Sequence, residues 1–231
     1  MRSLNVISGG AAQGLVGCLQ AEFEQQHQAS IHGTFGAVGS MKDQLMAGAD
    51  CDVIILTDAL VREFMANGQA VPGSARPIGV VQTGLAVKSG DARPAVKTAE
   101  DLSAMLQAAT AIYFPDPYKS TAGIHFLSVM QRLGLDEKLK DRFRDYPNGA
   151  TAMAAMAKAE GTGFVGCTQM TEILFTPGVD WVAPLPQQFE LGSIYTAAVT
   201  ARANDRELAA QLVERMASTE TSATRRTCGF A

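Results

Sequence analysis

Four short segments of this chain carry residue types that can hold negative charge without a formal positive charge. They are Ser8-Gly9-Gly10-Ala11-Ala12, Gly36-Ala37-Val38-Gly39-Ser40, Lys119-Ser120-Thr121-Ala122-Gly123 and Asn148-Gly149-Ala150-Thr151. Each is rich in small residues or hydroxyls, and each opens into a run of helical periodicity. The first N–H groups of a helix have no intrahelical acceptor and lie at the positive end of its dipole, so they attract an anion. Glycine lets a ligand approach the main chain, and hydroxyls add donors. The expected ligand-binding set is Ser8, Gly10, Ala11, Gly39, Ser40, Lys119, Ser120, Thr121, Ala122, Asn148 and Gly149 from these loops, together with Gly166. Gly and Ser are also ordinary helix-start residues. The expectation of one dehydrated pocket for a small anion therefore rests on the set of four and its order.

Three residues near the third loop could move a proton. His125 falls in the first helical turn after it, Asp116 just before it, and Tyr118 within it. Each also has a structural alternative: packing for His125, a turn or cap for Asp116, an exposed loop position for Tyr118. Lys42 or Lys119 could supply a positive charge, and Tyr195 reads as a packing residue. The chain has no Ser-His-Asp, HExxH or Walker A pattern. Ser8-Gly9-Gly10 has the wrong glycine spacing for a dinucleotide loop. Cys18, Cys51, Cys167 and Cys228 lie far apart with no CxxC pair. Neither a metal nor a cofactor is expected, and the cysteines read as buried free thiols.

The elements that must position these residues alternate between strand and helix. Strand-like runs at 4–7, 30–35 and 52–57 are separated by helical spacing, as in Ala12, Leu15, Val16, Leu19 and Phe23. Long strands are expected at 78–88 and 191–201, and helices at 98–109, 150–159, 168–175 and 206–217. Ala111-Ile112-Tyr113-Phe114 is a buried strand stopped by Pro115-Asp116-Pro117. Gly163 to Gly166 is another short strand. The ten methionines read as adaptable core filler. This alternation implies an α/β fold with parallel pairing.

The 231 residues suit one domain or two small lobes. With 47% hydrophobic and 18% charged residues the chain is not disordered. Its net charge of −4 and scattered Lys and Arg give no nucleic-acid footprint. No apolar run reaches the ~20 residues that span a bilayer, so direct membrane insertion is not expected. The sequence starts Met1-Arg2-Ser3 and goes straight into a strand, so the expected compartment is the cytoplasm, or the periplasm if a leader was removed.

In this order the parts resemble the type II periplasmic solute-binding proteins of ABC transporters, and specifically their molybdate-binding branch. The resemblance covers essentially the whole chain. Gln44-Leu45-Met46-Ala47-Gly48-Ala49-Asp50-Cys51-Asp52-Val53 is similar to the family's Q-I-x-x-G-A-P-A-D-V/L segment. Asp116-Pro117-Tyr118-Lys119-Ser120-Thr121-Ala122-Gly123 resembles its D-P-x-x-x-P-A-G segment. Gly163-Phe164-Val165-Gly166 stands where the family has G-I-V-Y, and Gly229-Phe230 matches a frequent terminal G-F. The resemblance implies a two-lobed fold with mixed sheets, two hinge-crossing strands and a central cleft. Residues 1–80 plus 190–231 would form the first lobe and 81–189 the second. It also implies hinge closure on a small anion and a membrane permease as partner.

The departures from the family pattern bear on the ligand. Ala11 replaces the family's oxyanion-binding Ser, Ala37-Val38-Gly39 replaces a serine cluster, and Gly166 replaces its Tyr. A tetrahedral oxyanion would lose donors, each unpaired group costing about 1–3 kcal/mol, and the lost Tyr ring would open volume beside Gly166. The expected ligand is accordingly an organic di- or tricarboxylate rather than molybdate. Two functions remain open at this point. One is a binding protein for transport or sensing. The other is a cofactor-independent isomerase of an unsaturated polycarboxylate such as aconitate, with His125, Asp116 or Tyr118 as its base.

Overall fold

The computed structural model describes residues 2–231. The chain divides into two compact units, Met1–Val81 with Ser193–Ala231, and Gln82–Gly192.

The first unit begins with β1 (Arg2–Gly9), a 3-10 turn at Gly10–Ala12, α1 (Gln13–His27), β2 (Ala29–Gly36), α2 (Val38–Met46), β3 (Val53–Thr57) and α3 (Asp58–Ala66). β4 (Arg76–Lys88) then carries the chain into the second unit. That unit holds α4 (Ala99–Ala108), β5 (Ala111–Pro115), α5 (Thr121–Arg132), β6 (Phe143–Tyr146), α6 (Gly149–Lys158), β7 (Phe164–Gln169), α7 (Met170–Phe175) and β8 (Val179–Pro184). The chain returns through β9 (Gly192–Val199) to α8 (Arg206–Ala217) and α9 (Ser222–Thr227).

In the first unit the strand order is β2-β1-β3-β9-β4. β1 pairs in parallel with β2, Leu4 opposite Ile31 and Gly9 opposite Gly36, and β9 runs antiparallel to β3. Strand alternation puts Leu4, Val6, Val53 and Ile55 in a core with Leu15, Leu19 and Phe23 of α1 and with Leu208 and Leu212 of α8. Ile7, Ile54 and Leu56 face the other way, onto Val61 and Phe64 of α3. The buried Asp52 ties this unit together. Its carboxylate accepts from the N–H groups of Asn5 (2.8 Å) and Asn204 (2.7 Å). The last residue, Ala231, exchanges two backbone bonds with Val80.

In the second unit the order is β4-β7-β5-β6, with β8 also on β4. β5 is parallel to both β6 and β7, and β4 is antiparallel to β7. Leu85, Val165 and Cys167 point to one face, under Phe126 and Val129 of α5. Ala86, Tyr113 and Phe164 point to the other, against Met153 and Met156 of α6.

Three features of the structure are not what the sequence pattern suggests. β7 continues to Gln169, so residues 168 and 169 are strand rather than helix. β6 has no signal in the sequence pattern, because its Arg144 and Asp145 are exposed at the sheet edge and leave no apolar run. Two of the four thiols are not buried: Cys18 on α1 is exposed, Cys228 is half-buried, and their sulfurs lie 3.8 Å apart.

Candidate functional site

Parallel strands present their carboxyl ends to the helices that follow them, and in α/β folds ligands bind at those ends. Each unit has such an end, built from the loops singled out in the sequence.

In the first unit β1 and β2 end side by side at Gly9 and Gly36. The turn Gly10–Ala12 has Gly9 as its N-cap, and α2 has Ala37 in an extended conformation as its own. Neither start has a capping side chain or an acid in its first turn. Gly10 and Ala11 are buried, and Gly39 and Ser40 are half-buried. Ser8 is fully buried, and its hydroxyl donates to the Gly9 carbonyl (2.8 Å), so that proton stays on the chain's own backbone. Gly9 is tightly enclosed: a Cβ there would come within 2.9 Å of the Tyr195 ring, 3.2 Å of its hydroxyl and 3.2 Å of Val38. The starts of the Gly10 turn and of α2 thus meet around the buried tip of Tyr195. Lys42 is engaged elsewhere, with Glu63 of α3 (2.9 Å).

In the second unit β5 ends in Pro115, and Asp116 folds the next loop onto itself. Its carboxylate accepts from the N–H groups of Tyr118 (2.7 Å) and Lys119 (3.0 Å), while its carbonyl accepts from Ser120 (3.1 Å). Ser120 is the extended N-cap of α5, is buried, and makes no side-chain cap bond; the first turn, Thr121 onward, holds no acid. Ala122 and Gly123 are buried, and a Cβ on Gly123 would collide with the carbonyls of Pro115 and Asp116. Only glycine lets α5 start this close to the end of β5. Tyr118 is 80% exposed. The Nε2 of His125 donates to the Phe189 carbonyl (2.7 Å), which fixes that ring against the 187–189 turn.

The fourth loop is served from within the protein. The Asn148 carboxamide accepts from both the N–H and the hydroxyl of Thr151, at 2.9 Å each. The N–H groups of Gly149 and Ala150 donate to the carboxyl of Glu172, a wholly buried residue of α7 that also binds the Gln169 N–H and the Thr168 hydroxyl (2.5 Å). Burial raises the pKa of this carboxyl, and the four donors oppose the rise. A Cβ on Gly149 would overlap Thr168 and Glu172. Gly166 opens no volume, because Met153 and Met156 of α6 fill the space: a Cβ would sit 2.7 Å from the Met153 methyl and 3.0 Å from that of Met156. This corrects the expectation of added room there.

The structure therefore gathers Gly10, Ala11, Gly39 and Ser40 at one sheet end, and Lys119, Ser120, Thr121 and Ala122 at the other. Asn148 and Gly149 face an internal partner, and Gly166 faces α6. Sequence reasoning missed Glu172, which looks like any helical acid, and Gln169, whose place in a run of Thr and Gln suggests a helix start. Among the described residues no group of three or more His, Cys, Asp or Glu could hold a metal ion, and no helix is long and apolar enough to cross a membrane.

The profile of the family described as bacterial extracellular solute-binding protein matches residues 4–231. The chain belongs to that family. The fold is that of the periplasmic molybdate-binding protein of Azotobacter vinelandii, at a TM-score of 0.82 and 17% identity over 99% of this chain and 98% of that one. The sulfate-binding protein of Mycobacterium tuberculosis superposes with a TM-score of 0.68 and 16% identity, covering 100% of this chain and 86% of its own. An aconitate isomerase from Pseudomonas sp. is 23% identical over 224 residues, 94% of this chain and 82% of that protein. The two structural likenesses span nearly the whole of this chain, so this solute-binding protein shares their α/β plan. Their low identities carry the fold and leave the ligand to be argued from this chain's own residues.

Proposed function

We propose that the protein binds a small organic anion, a di- or tricarboxylate, through main-chain amides at uncapped helix starts such as that of α5, and delivers it to a membrane permease. One observation carries this reading. The starts of α4, α6 and α8 are closed by side-chain caps from Thr98, Asn148 and Asp205, whereas the Gly10 turn, α2 and α5, each following a parallel strand, start with no side-chain cap and no acid in the first turn. Uncapped, partly buried helix starts need an acceptor, and an anion supplies it. A carboxylate suits them better than a metal oxyanion, because Ala11, Ala37 and Val38 contribute no hydroxyl and Ser8 already donates to Gly9.

Thermal shift and titration calorimetry with molybdate, sulfate, phosphate, succinate, tricarballylate, citrate and aconitate test the reading, since a saturating ligand raises the melting temperature by mass action. Saturable binding of carboxylates supports it. Binding of molybdate or sulfate with carboxylates silent overturns the choice of ligand, and silence throughout overturns anion binding.

The likeness to an aconitate isomerase supports a second reading, proton transfer within a bound unsaturated polycarboxylate. The three candidate bases weigh against it. Asp116 is turned onto its own loop, His125 onto Phe189, and Tyr118 stands in solvent. Incubation of cis- and trans-aconitate with the protein in D2O, followed by proton NMR, separates the two readings: an isomerised product establishes the enzyme.

A further inference from the structure

A buried polar side chain almost always has a hydrogen-bond partner. Among the described residues, the buried side-chain atoms without one are Thr83 Oγ1, both amide atoms of Gln169, Thr171 Oγ1 and Gln211 Oε1. Thr83 and Gln169 belong to one place in the second unit. Thr83 and Gln169 are directly opposed across the antiparallel β4–β7 pair, so their side chains leave the same face of the sheet. Val165 and Cys167, four and two residues earlier, lie under α5, and Gln169 is the next residue on that face. It is also the last residue of its strand. The β5–β7 register pairs Tyr113 with Gly166; carried three residues on, it sets Gln169 beside Asp116, whose carbonyl takes the Ser120 N–H at the start of α5. Thr83 and Gln169 are 0% and 3% exposed. The unpartnered amide and hydroxyl therefore stand at the same sheet end as the uncapped start of α5.

We propose that Gln169, with Thr83 opposite it, recognises a hydroxyl group on the bound anion, so that the ligand is a hydroxycarboxylate. The inference rests on the anion-binding reading above and narrows it. A carboxamide offers a donor at Nε2 and an acceptor at Oε1. A fully ionised oxyanion such as molybdate or sulfate, or a carboxylate alone, presents only acceptors and leaves Oε1 unpaired. An alcohol next to the carboxylate supplies a donor and an acceptor together: its oxygen takes the Nε2 hydrogen and its hydrogen goes to Oε1 or to Thr83. A neutral amide matches a neutral hydroxyl, whereas an ammonium group would call for a carboxylate in that position.

Calorimetry on matched pairs tests this: malate against succinate, and citrate against tricarballylate, each pair at one pH and ionic strength. The expected result is about 10-fold or more tighter binding of the hydroxylated member, since a site built to bond a hydroxyl discriminates strongly against its absence. Gln169→Met, close in volume, should abolish the preference while retaining binding of succinate. If that variant does not fold, the wild-type pairs still decide. Equal affinity within the pairs, tighter binding of the deoxy member, or a preference that survives in folded Gln169→Met would overturn the assignment of Gln169 and leave anion binding standing. Absence of any carboxylate binding would overturn both.

Discussion

Replacing Glu172 tests whether the start of α6 is closed from inside the protein. In Glu172→Ala the N–H groups of Gly149, Ala150 and Gln169 and the hydroxyl of Thr168 all lose their partner. The Thr168 hydroxyl can turn, but the main-chain donors cannot. Each orphaned buried donor costs about 1–3 kcal/mol. With some relaxation, the loss should come to about 3–5 kcal/mol, a melting temperature roughly 10 °C lower for a chain of this size. Glu172→Gln keeps an acceptor toward the helix and offers its NH2 to Thr168, so it should lose no more than about 1–2 kcal/mol. The pH dependence carries a second signature. Burial raises the folded pKa of this carboxyl above the 4.5 of a free Glu. The native state then holds a proton that the unfolded chain has released, so this stabilisation is full below about pH 4.5 and is lost as the pH rises through the folded value. Urea unfolding followed by circular dichroism, for wild type and Glu172→Gln between pH 4.5 and 8, should show the wild type losing stability relative to the variant as the pH rises. A Glu172→Ala cost under about 1 kcal/mol, below that of one orphaned donor, would refute the capping role. A wild-type advantage that grows with pH would refute the protonation argument.

Ser120→Asp gives α5 a carboxylate cap of its own. It should raise stability by about 0.5–1 kcal/mol and weaken anion binding by about 10-fold or more in calorimetry; unchanged affinity would remove α5 from the site. Gly123→Ala drives a methyl into the Pro115 and Asp116 carbonyls and should cost about 1–3 kcal/mol of stability while displacing the α5 amides, seen as weaker ligand-induced thermal shift. Asp52→Ala strands the N–H groups of Asn5 and Asn204 in the core and should destabilise by about 2–5 kcal/mol in urea unfolding. Oxidised glutathione should join Cys18 to Cys228 by thiol–disulfide exchange, because their sulfurs are already 3.8 Å apart; mass spectrometry should show the loss of two hydrogens and one linked peptide pair, and Cys18→Ser should prevent it.

Most of the fold was legible because its strands are short apolar runs between periodic helices. Leu4 to Ile7 and Val53 to Thr57 read as buried strands because both faces of their sheet are covered. What escaped the sequence is polar and tertiary. β6 carries Arg144 and Asp145 outward at an edge, and an edge strand shows no continuous apolar pattern. At the end of β7, Thr168 and Gln169 have the composition of a helix start, yet they are buried strand residues; the Thr168 hydroxyl finds its partner in Glu172 of α7, and the Gln169 amide finds none. Gly166 promised room only until its neighbours were known: two methionines from α6, flexible enough to follow any surface, fill it. The loops themselves were visible in the sequence, but which of them an internal side chain already serves depends on contacts such as Gly149 to Glu172, which no local pattern encodes.

That last distinction gives the site its physical meaning. β5 and β6 are adjacent parallel strands, each followed by a small-residue loop and a helix. Their helix starts face the same problem of unbonded amides and reach opposite solutions. At α6 the chain brings a carboxamide, Asn148, and a buried carboxyl, Glu172, to the exposed donors. At α5 it places a serine that does not cap, omits any acid, and draws the helix so close to Pro115 and Asp116 that only Gly123 fits. It then sets beside that start a glutamine with no partner of its own. Capping α5 as α6 is capped would have needed one Asn or Asp at residue 120, and stability alone favours it. On the anion-binding proposal, a fold that closes one of two neighbouring ends and leaves the other open, with further unpaired polar groups beside it, is arranged for an acceptor that comes from solution.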